Sequence, residues 1–365
     1  MPHTVTATID LAALRHNLQQ AKRLAPNSRI MAVIKADAYG HGIVAAAKAL
    51  ASADGLAVAR LEEALTLRKQ GINQRLLLLG SFLDSNSLAL CADNNIDVAV
   101  HNSAGVDTLL ASRSHKQLAV WLKHDSGMHR LGMNALELRS AHQRLSSCSH
   151  IGDMGLMTHF SAADDLDPHT TQQQTQSFLQ ATEGLTGFSC LANSAAIIQH
   201  PQTHLDWVRP GIMLYGANPL PPTITKLNNL ELQPVMTLRA KIIAIRPIAT
   251  GESAGYNERW TATRPTQLAT LAIGYADGYP RHARNGTPVL INGQRAVLAG
   301  RVSMDLITVD ISDCHEVNIG DEAILWGQGL PAEEIASYAD TISYQLFTSV
   351  SKRVPRIYIN TESIV

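Results

Sequence analysis

Lys35 closes an apolar run, Arg29 to Lys35 (RIMAVIK), and is followed by a loop containing Tyr39, Gly40, His41 and Gly42. Desolvation lowers the proton affinity of an amine, so a lysine at the end of a buried strand can attack an aldehyde, the requirement for a Schiff base. A lysine capping a strand is equally a common solvated surface charge. Asn193 and Ser194, in ANSAA, follow another strand-like run. A small hydroxyl beside free backbone N–H groups suits an anion, and the same pattern also reads as a helix N-cap. Lys35, His124, His159 and Asn193 each stand at or just after the C-terminal end of a strand-like run.

That shared placement depends on the elements carrying these residues. Strand candidates are Arg29 to Lys35, Gly55 to Ala59, Leu76 to Gly80, Val98 to His101, Ala119 to His124 and Gly155 to Phe160. Helical patterns lie between them: Asp10 to Leu24 opens on a capping aspartate, and Leu61 to Gln70 has helical apolar spacing and stops at Gly71. Strand then helix, repeated, predicts a parallel sheet. A closed barrel is favoured over an open doubly wound sheet, and barrel enzymes keep their chemistry at the C-terminal ends of strands. After PLPPT (Pro219 to Thr223) the pattern changes to short β-rich runs: Met236 to Ile245, Gln267 to Ile273, Thr287 to Ile291, Arg295 to Leu298, Asp305 to Val309 and Glu322 to Trp326. Asn285-Gly286 and Asn292-Gly293 supply turns between them. The expected fold class is α/β: an N-terminal (β/α)8 TIM-type barrel over 1–234 and a mostly β C-terminal domain over 235–365, the first few residues being left open to pairing with the latter.

Composition narrows the function. A chain of 365 residues accommodates a barrel and a smaller domain, and 45% hydrophobic with 17% charged residues excludes a disordered polymer. A net charge of -1 leaves no cationic excess for nucleic acid or an anionic membrane, so neither is an expected partner. Cys91, Cys148, Cys190 and Cys314 lie far apart without a C-x-x-C pair, which reads against a zinc ribbon, a redox motif or a disulfide framework; no metal is expected. Asp10 and Arg15 interrupt the run a signal peptide would need, and no segment has the roughly 18 consecutive apolar residues of a membrane helix. Cytoplasmic residence is the expectation.

AVIKADAYGHG closely resembles the cofactor-lysine motif of the alanine racemases. WLKHDSGMHRLGM, MTHFSAAD, ANSAA, VRPGIMLYG, SAGYNERW, IGYADGYPR, GRVSMD and YQLFT followed by RVPR resemble that family's other blocks, in order and over nearly the full length. The resemblance implies the same barrel plus β domain, pyridoxal 5'-phosphate as cofactor, interconversion of L- and D-alanine, and a homodimer whose active site is shared between chains. It leaves open whether D-alanine is supplied for peptidoglycan or alanine is catabolised.

Residue roles follow from the same resemblance. Lys35 would carry the cofactor; Ser194, the backbone of Gly211 and Ile212, and the hydroxyls of Tyr39 and Tyr344 would hold its phosphate, with Asn193 beside them. His159 would lie against the pyridine ring. Arg209 would face the ring nitrogen, and a guanidinium, which has no acceptor, bonds that nitrogen only when it is unprotonated. Pairing of Arg209 with Asp206 is the competing reading. Racemisation removes a proton from one face of Cα and returns it on the other, which two opposed bases do most simply. Lys35 would serve the D enantiomer and Tyr256, from the neighbouring subunit, the L enantiomer. A phenol, with an ordinary pKa of about 10, needs help from its surroundings in that role. Arg130 would bond the cofactor's phenolic oxygen and place the substrate, and the Met304 N–H would hold the substrate carboxylate from the partner chain. Lys123 is a candidate for carbamylation that would orient Arg130, or a plain lysine paired with Asp125.

Two positions depart from the family pattern: Gln345 follows Tyr344 where glutamate is common, and Ser303 stands where some relatives have cysteine. A racemase of wider range, acting on serine, is the nearest alternative, ahead of a barrel-type decarboxylase. A non-catalytic cofactor carrier would need only the barrel, and SAGYNERW and GRVSMD speak against it.

Overall fold

The computed structural model describes residues 3–80, 84–112, 116–220 and 230–361; Pro221 to Thr223 of the Pro-rich junction lie outside them. The first strand, β1 (Val5–Asp10), ends on the residue that starts the first helix. The Asp10 carboxylate accepts the N–H of Ala12 at 2.8 Å and of Ala13 at 3.1 Å, capping Leu11–Leu24.

Eight parallel strands then close on one another: β2 (Arg29–Val33), β3 (Gly55–Val58), β4 (Arg75–Leu78), β5 (Ile96–Val100), β6 (Leu118–Lys123), β7 (Ile151–Met157), β8 (Phe188–Cys190) and β9 (Trp207–Val208), which pairs back to β2. Every residue of β3 and β5 is buried, as strands enclosed on both faces require. The N-terminal end of the barrel is stopped by Arg75. Its guanidinium lies 5.7, 5.1 and 5.7 Å from the ring centroids of Trp121, Phe188 and Trp207, and its Nε donates to Asp97 at 2.5 Å. Trp121 Nε1 donates to the same carboxylate at 2.9 Å. A half-buried cation packed on rings and paired with a carboxylate makes a floor, and space for a ligand is left at the other end.

The remaining strands are β10 (Met236–Ile248), β11 (Ser253–Ala254), β12 (Trp260–Thr261), β13 (Thr266–Leu271), β14 (Pro288–Ile291), β15 (Gln294–Leu298), β16 (Ile307–Asp310), β17 (Glu322–Trp326) and β18 (Arg356–Ile359). The order β10-β13-β16-β15-β14-β17 returns to β10 and makes an antiparallel ring, while β11 and β12 form a separate two-stranded ribbon. Asn292 and Gly293, both at positive φ, make the two-residue turn between β14 and β15, the twist-matched hairpin that this dipeptide favours. β1 pairs with β10 and β18 pairs with β1, so the two ends of the described chain meet in the second sheet. No helix among the described residues is long and apolar enough to cross a membrane.

Candidate active site

Lys35, Lys123, Arg130 and Arg209 reach one cavity of about 670 Å³ at the C-terminal mouth of the barrel, and no aspartate or glutamate lines it among the described residues. Tyr39, His159, Asn193, Ser194, Gly211, Ile212 and Tyr344 line it as well, with Val33, Leu79, Leu131 and Met157 as an apolar wall. Burial, then the Arg130 charge, lowers the proton affinity of Lys35. Burial, with Arg209, Arg130 and Lys35 close by, brings Lys123 down to about 8. His159 is pushed well below its ordinary value by burial and by Arg209, so the imidazole is neutral. A cavity of this charge is built for anions.

Lys35 stands two residues beyond β2, where the chain turns the wrong way. Ala36, Asp37, Ala38 and Tyr39 all have φ of 53–54°, a left-handed helical turn that ends at Gly40. Four L-residues in that region cost about 4–8 kcal/mol together. Several bonds offset the strain: Glu63 accepts the Ala36 N–H at 2.7 Å, Asp37 accepts that of Ile43 at 2.8 Å, and His41 Nδ1 lies 3.0 and 2.9 Å from the carbonyls of Ala38 and Tyr39. Two carbonyls at Nδ1 place the ring proton there, and full burial lowers the His41 pKa to about 4. Gly40 has φ +79, and a Cβ there would lie 2.3 Å from the Phe347 carbonyl oxygen. Gly40→Ala should therefore destabilise the protein by about 2 kcal/mol or more in chemical denaturation. An unchanged midpoint would mean that the turn relaxes freely.

Across the cavity, Ser194 Oγ accepts the N–H of Gly211 at 2.8 Å and of Met213 at 3.4 Å, which leaves its O–H to donate inward. A Cβ on Gly211 would lie 2.7 Å from the Tyr39 hydroxyl, so glycine is what lets the phenol approach this backbone. Asn193 is an N-cap after all, accepting the Ala196 N–H at 3.0 Å, and it still lines the cavity. Tyr39 stacks on Tyr215 with centroids 4.6 Å apart and lies 5.9 Å from the Tyr344 ring. Burial raises the pKa of Tyr39, and that of Tyr344 to about 12, so both phenols are hydrogen-bond donors at working pH.

The competing reading of Arg209 is corrected. Its guanidinium is held by the carbonyls of Cys190 at 2.9 Å, Thr158 at 2.6 Å and Leu191 at 3.2 Å, not by Asp206, which accepts the Ser189 N–H instead. Lys123 does not pair with Asp125 either: that carboxylate takes the N–H groups of Gly127 and His129 and the His129 ring. His124 bonds Met133 and Ser177 and does not line the cavity. Gln345 does line it, and accepts a hydrogen bond from the Thr341 hydroxyl. Glu63 was missed in the sequence. It serves the site through backbone N–H groups, and its signal is its place three residues into the run from Leu61, a capping position.

Two residues do not join the others. Tyr256, on the turn between β11 and β12, is 66% exposed, and Met304 is 55% exposed. Neither lines the cavity of its own chain. The Met304 carbonyl accepts the Ala276 N–H at 2.9 Å, while its own N–H has no acceptor among the described residues.

A closed barrel with a cavity lined by cations and hydrogen-bond donors at its C-terminal mouth, joined to a strand-rich second domain, is the architecture of a barrel-type enzyme. Residues 9–219 match the family model "Alanine racemase, N-terminal domain" and residues 235–358 match "Alanine racemase, C-terminal domain". An alanine racemase of Chromohalobacter salexigens is 49% identical over 365 residues, all of both chains. A catabolic alanine racemase of Pseudomonas putida is 46% identical, covering 97% of this chain and 98% of its own. The crystal structure of the biosynthetic alanine racemase from Pseudomonas aeruginosa superposes with a TM-score of 0.94 at 45% identity, covering 98% of this chain and 99% of that one. The chain belongs to the alanine racemase family, whose members are pyridoxal-phosphate-dependent isomerases.

Proposed function

We propose that the protein interconverts L- and D-alanine, using pyridoxal 5'-phosphate held by Lys35, in a homodimer whose two chains share each active site. The observation that carries this reading is the cavity itself: a lysine of lowered proton affinity, three further cations, a donor cradle and, among the described residues, no carboxylate. The residues fit the cofactor. Ser194, the backbone at Gly211 and Ile212, and the phenols of Tyr39 and Tyr344 would take its phosphate, with Asn193 alongside; the neutral His159 would pack on its ring. When bound, the cofactor supplies the electron withdrawal that acidifies the Cα hydrogen of an amino acid.

The chain's own groups do the rest. Arg209, fixed by three carbonyls, is a donor that cannot accept a proton; facing the ring nitrogen it would hold that nitrogen unprotonated, which would favour return of the proton to Cα. Lys35 Nζ exchanges a proton on one face, taking it from D-alanine. Tyr256 of the partner subunit does so on the other, taking it from L-alanine. Arg130 and the partner's Met304 N–H would hold the substrate carboxylate. The test is the optical rotation of purified protein with L-alanine, D-alanine and L-serine, with an absorption scan alongside. Interconversion of alanine is expected; no interconversion of either enantiomer defeats the reading, and equal rates on serine would favour the wider-range racemase.

That no carboxylate among the described residues lines this cationic cavity also supports carbamylation of Lys123. Its neutral amine would attack carbon dioxide, forming a C–N bond and releasing one proton to solvent, and the product anion would face Arg130. With the amine's pKa lowered to about 8, the reactive neutral fraction grows as pH rises through that value. At fixed dissolved carbon dioxide, native mass spectrometry should show an adduct of one carbon dioxide that increases over this range. It should be lost on acidification and be absent from Lys123→Ala. An adduct that persists in Lys123→Ala lies elsewhere.

A further inference from the structure

The RVPR block, Arg353 to Arg356, has no role in the chemistry above, yet its last residue reaches the site from the second domain. Arg356, on β18, makes no pair with a carboxylate among the described residues. Its Nε donates to the Gly40 carbonyl at 3.1 Å, one terminal nitrogen to Ser351 at 2.5 Å and Val354 at 2.8 Å, and the other to Val350 at 2.6 Å. Gly40 ends the left-handed turn that starts at Lys35 and carries Tyr39. Val350 and Ser351 end the helix Ser343–Ser349, which carries Tyr344. One rigid guanidinium therefore joins the ends of the two elements that bring Tyr39 and Tyr344 to the cavity.

We infer that Arg356 is a positioning residue for the anion cradle: by tying the Gly40 carbonyl to the end of the Ser343–Ser349 helix it sets the separation of the Tyr39 and Tyr344 hydroxyls. The other contacts between the two elements are ring packing, Tyr39 on Tyr344 at 5.9 Å and His41 edge-on to Phe347 at 5.2 Å, which can slide; among the described residues Arg356 is what joins them by hydrogen bonds. Tyr215 fixes the tilt of Tyr39, by stacking on its ring at 4.6 Å, but not its distance from the helix. Gly40 and the Phe347 carbonyl meet backbone to backbone, an approach that blocks closure and does nothing to prevent separation. A strained left-handed turn will drift toward right-handed backbone once its end is released. A planar fork with five donors holds several carbonyls at once, which an ammonium with three rotating donors does less well.

The inference rests on the reading that Tyr39 and Tyr344 hold the cofactor phosphate, and the test separates the two. Affinities of the cofactor-stripped chain for pyridoxal phosphate and for pyridoxal are compared; their ratio isolates the phosphate. Arg356→Lys and Arg356→Gln are both measured, so that a folding failure of one leaves the other, with melting temperatures alongside. The ratio should fall roughly tenfold or more in the Arg356 variants, with pyridoxal affinity unchanged. Adding either substitution to the Tyr39→Phe/Tyr344→Phe pair should change the ratio by less than about twofold, because Arg356 acts through those hydroxyls. Equal weakening of both ligands, or an undiminished loss in the double-phenylalanine background, would overturn the role of Arg356 and make it a fastening of the fold. If the phenylalanine pair itself leaves the ratio unchanged, the phosphate reading fails first.

Discussion

Lys35→Ala should lower alanine racemisation by more than about 10⁴-fold and remove the absorption band of a lysine-linked cofactor. The effect would be large because, on the proposed reading, two functions leave together, the covalent anchor and one of the two bases. The outcome is not guaranteed by lysine chemistry alone, since Lys123 lines the same cavity with its pKa lowered to about 8. What separates the two is position. Lys35 begins the turn that carries Tyr39 to the Ser194–Gly211 cradle, whereas Lys123 ends β6 beside the cations that lower its proton affinity. A lysine-linked band that persists in Lys35→Ala and vanishes in Lys35→Ala/Lys123→Ala would move the cofactor to Lys123. A band lost in the single variant, with Lys123→Ala retaining it, is the expected result.

The barrel was legible where its strands are long enough to show a pattern. β2 to β6 are mostly buried apolar runs and β7 is continuously buried over Gly155–Met157, and their enclosure by helices is what makes the runs continuous. β8 and β9 have three and two residues, too few for any periodicity, and only the closed ring identifies them. β1 buries alternate residues at its end and leads straight into a helix, so its membership of the second sheet depends on β10, over 200 residues away in sequence. The left-handed turn has the sequence of a loop. Of Ala-Asp-Ala-Tyr only the aspartate is at home at positive φ; the conformation is held by Glu63, His41 and Arg356, which come from other parts of the chain or act on its carbonyls.

The site divides along the same line. Residues that present a side chain to the cavity fall in blocks with recognisable types, so the sequence alone implies their convergence. Residues that act through backbone groups carry no such mark: Glu63 looks like any helix-start glutamate and Arg356 like any basic strand residue. Proximity in sequence also misleads. Asp206 and Arg209 are three apart on extended chain, which turns their side chains to opposite faces. Arg209 accordingly enters the barrel, while Asp206 reaches the Ser189 N–H.

Tyr256→Phe should lower racemisation about 10²–10⁴-fold in both directions while leaving the lysine-linked absorption intact, because the phenol takes no part in holding the cofactor. The stronger test uses where Tyr256 sits. Tyr256 is 66% exposed, Met304 is 55% exposed, and neither lines the cavity of its own chain. If both serve a neighbouring chain, each active site combines Lys35 of one subunit with Tyr256 of the other. Lys35→Ala and Tyr256→Phe homodimers are then each defective at both sites, but a mixed dimer holds one site with neither change and one with both. Random exchange makes half of the dimers mixed, each with one intact site of two, so an equimolar mixture should recover about a quarter of the wild-type activity. Recovery should require subunit exchange: brief denaturation and refolding together should produce it, and mixing the native dimers at once should not. If co-refolded mixtures stay as inactive as their parents, Tyr256 acts within its own chain or not at all, and the shared site fails with it. Recovery near a quarter would tie the exposed turn at Tyr256 to Lys35 of the partner subunit.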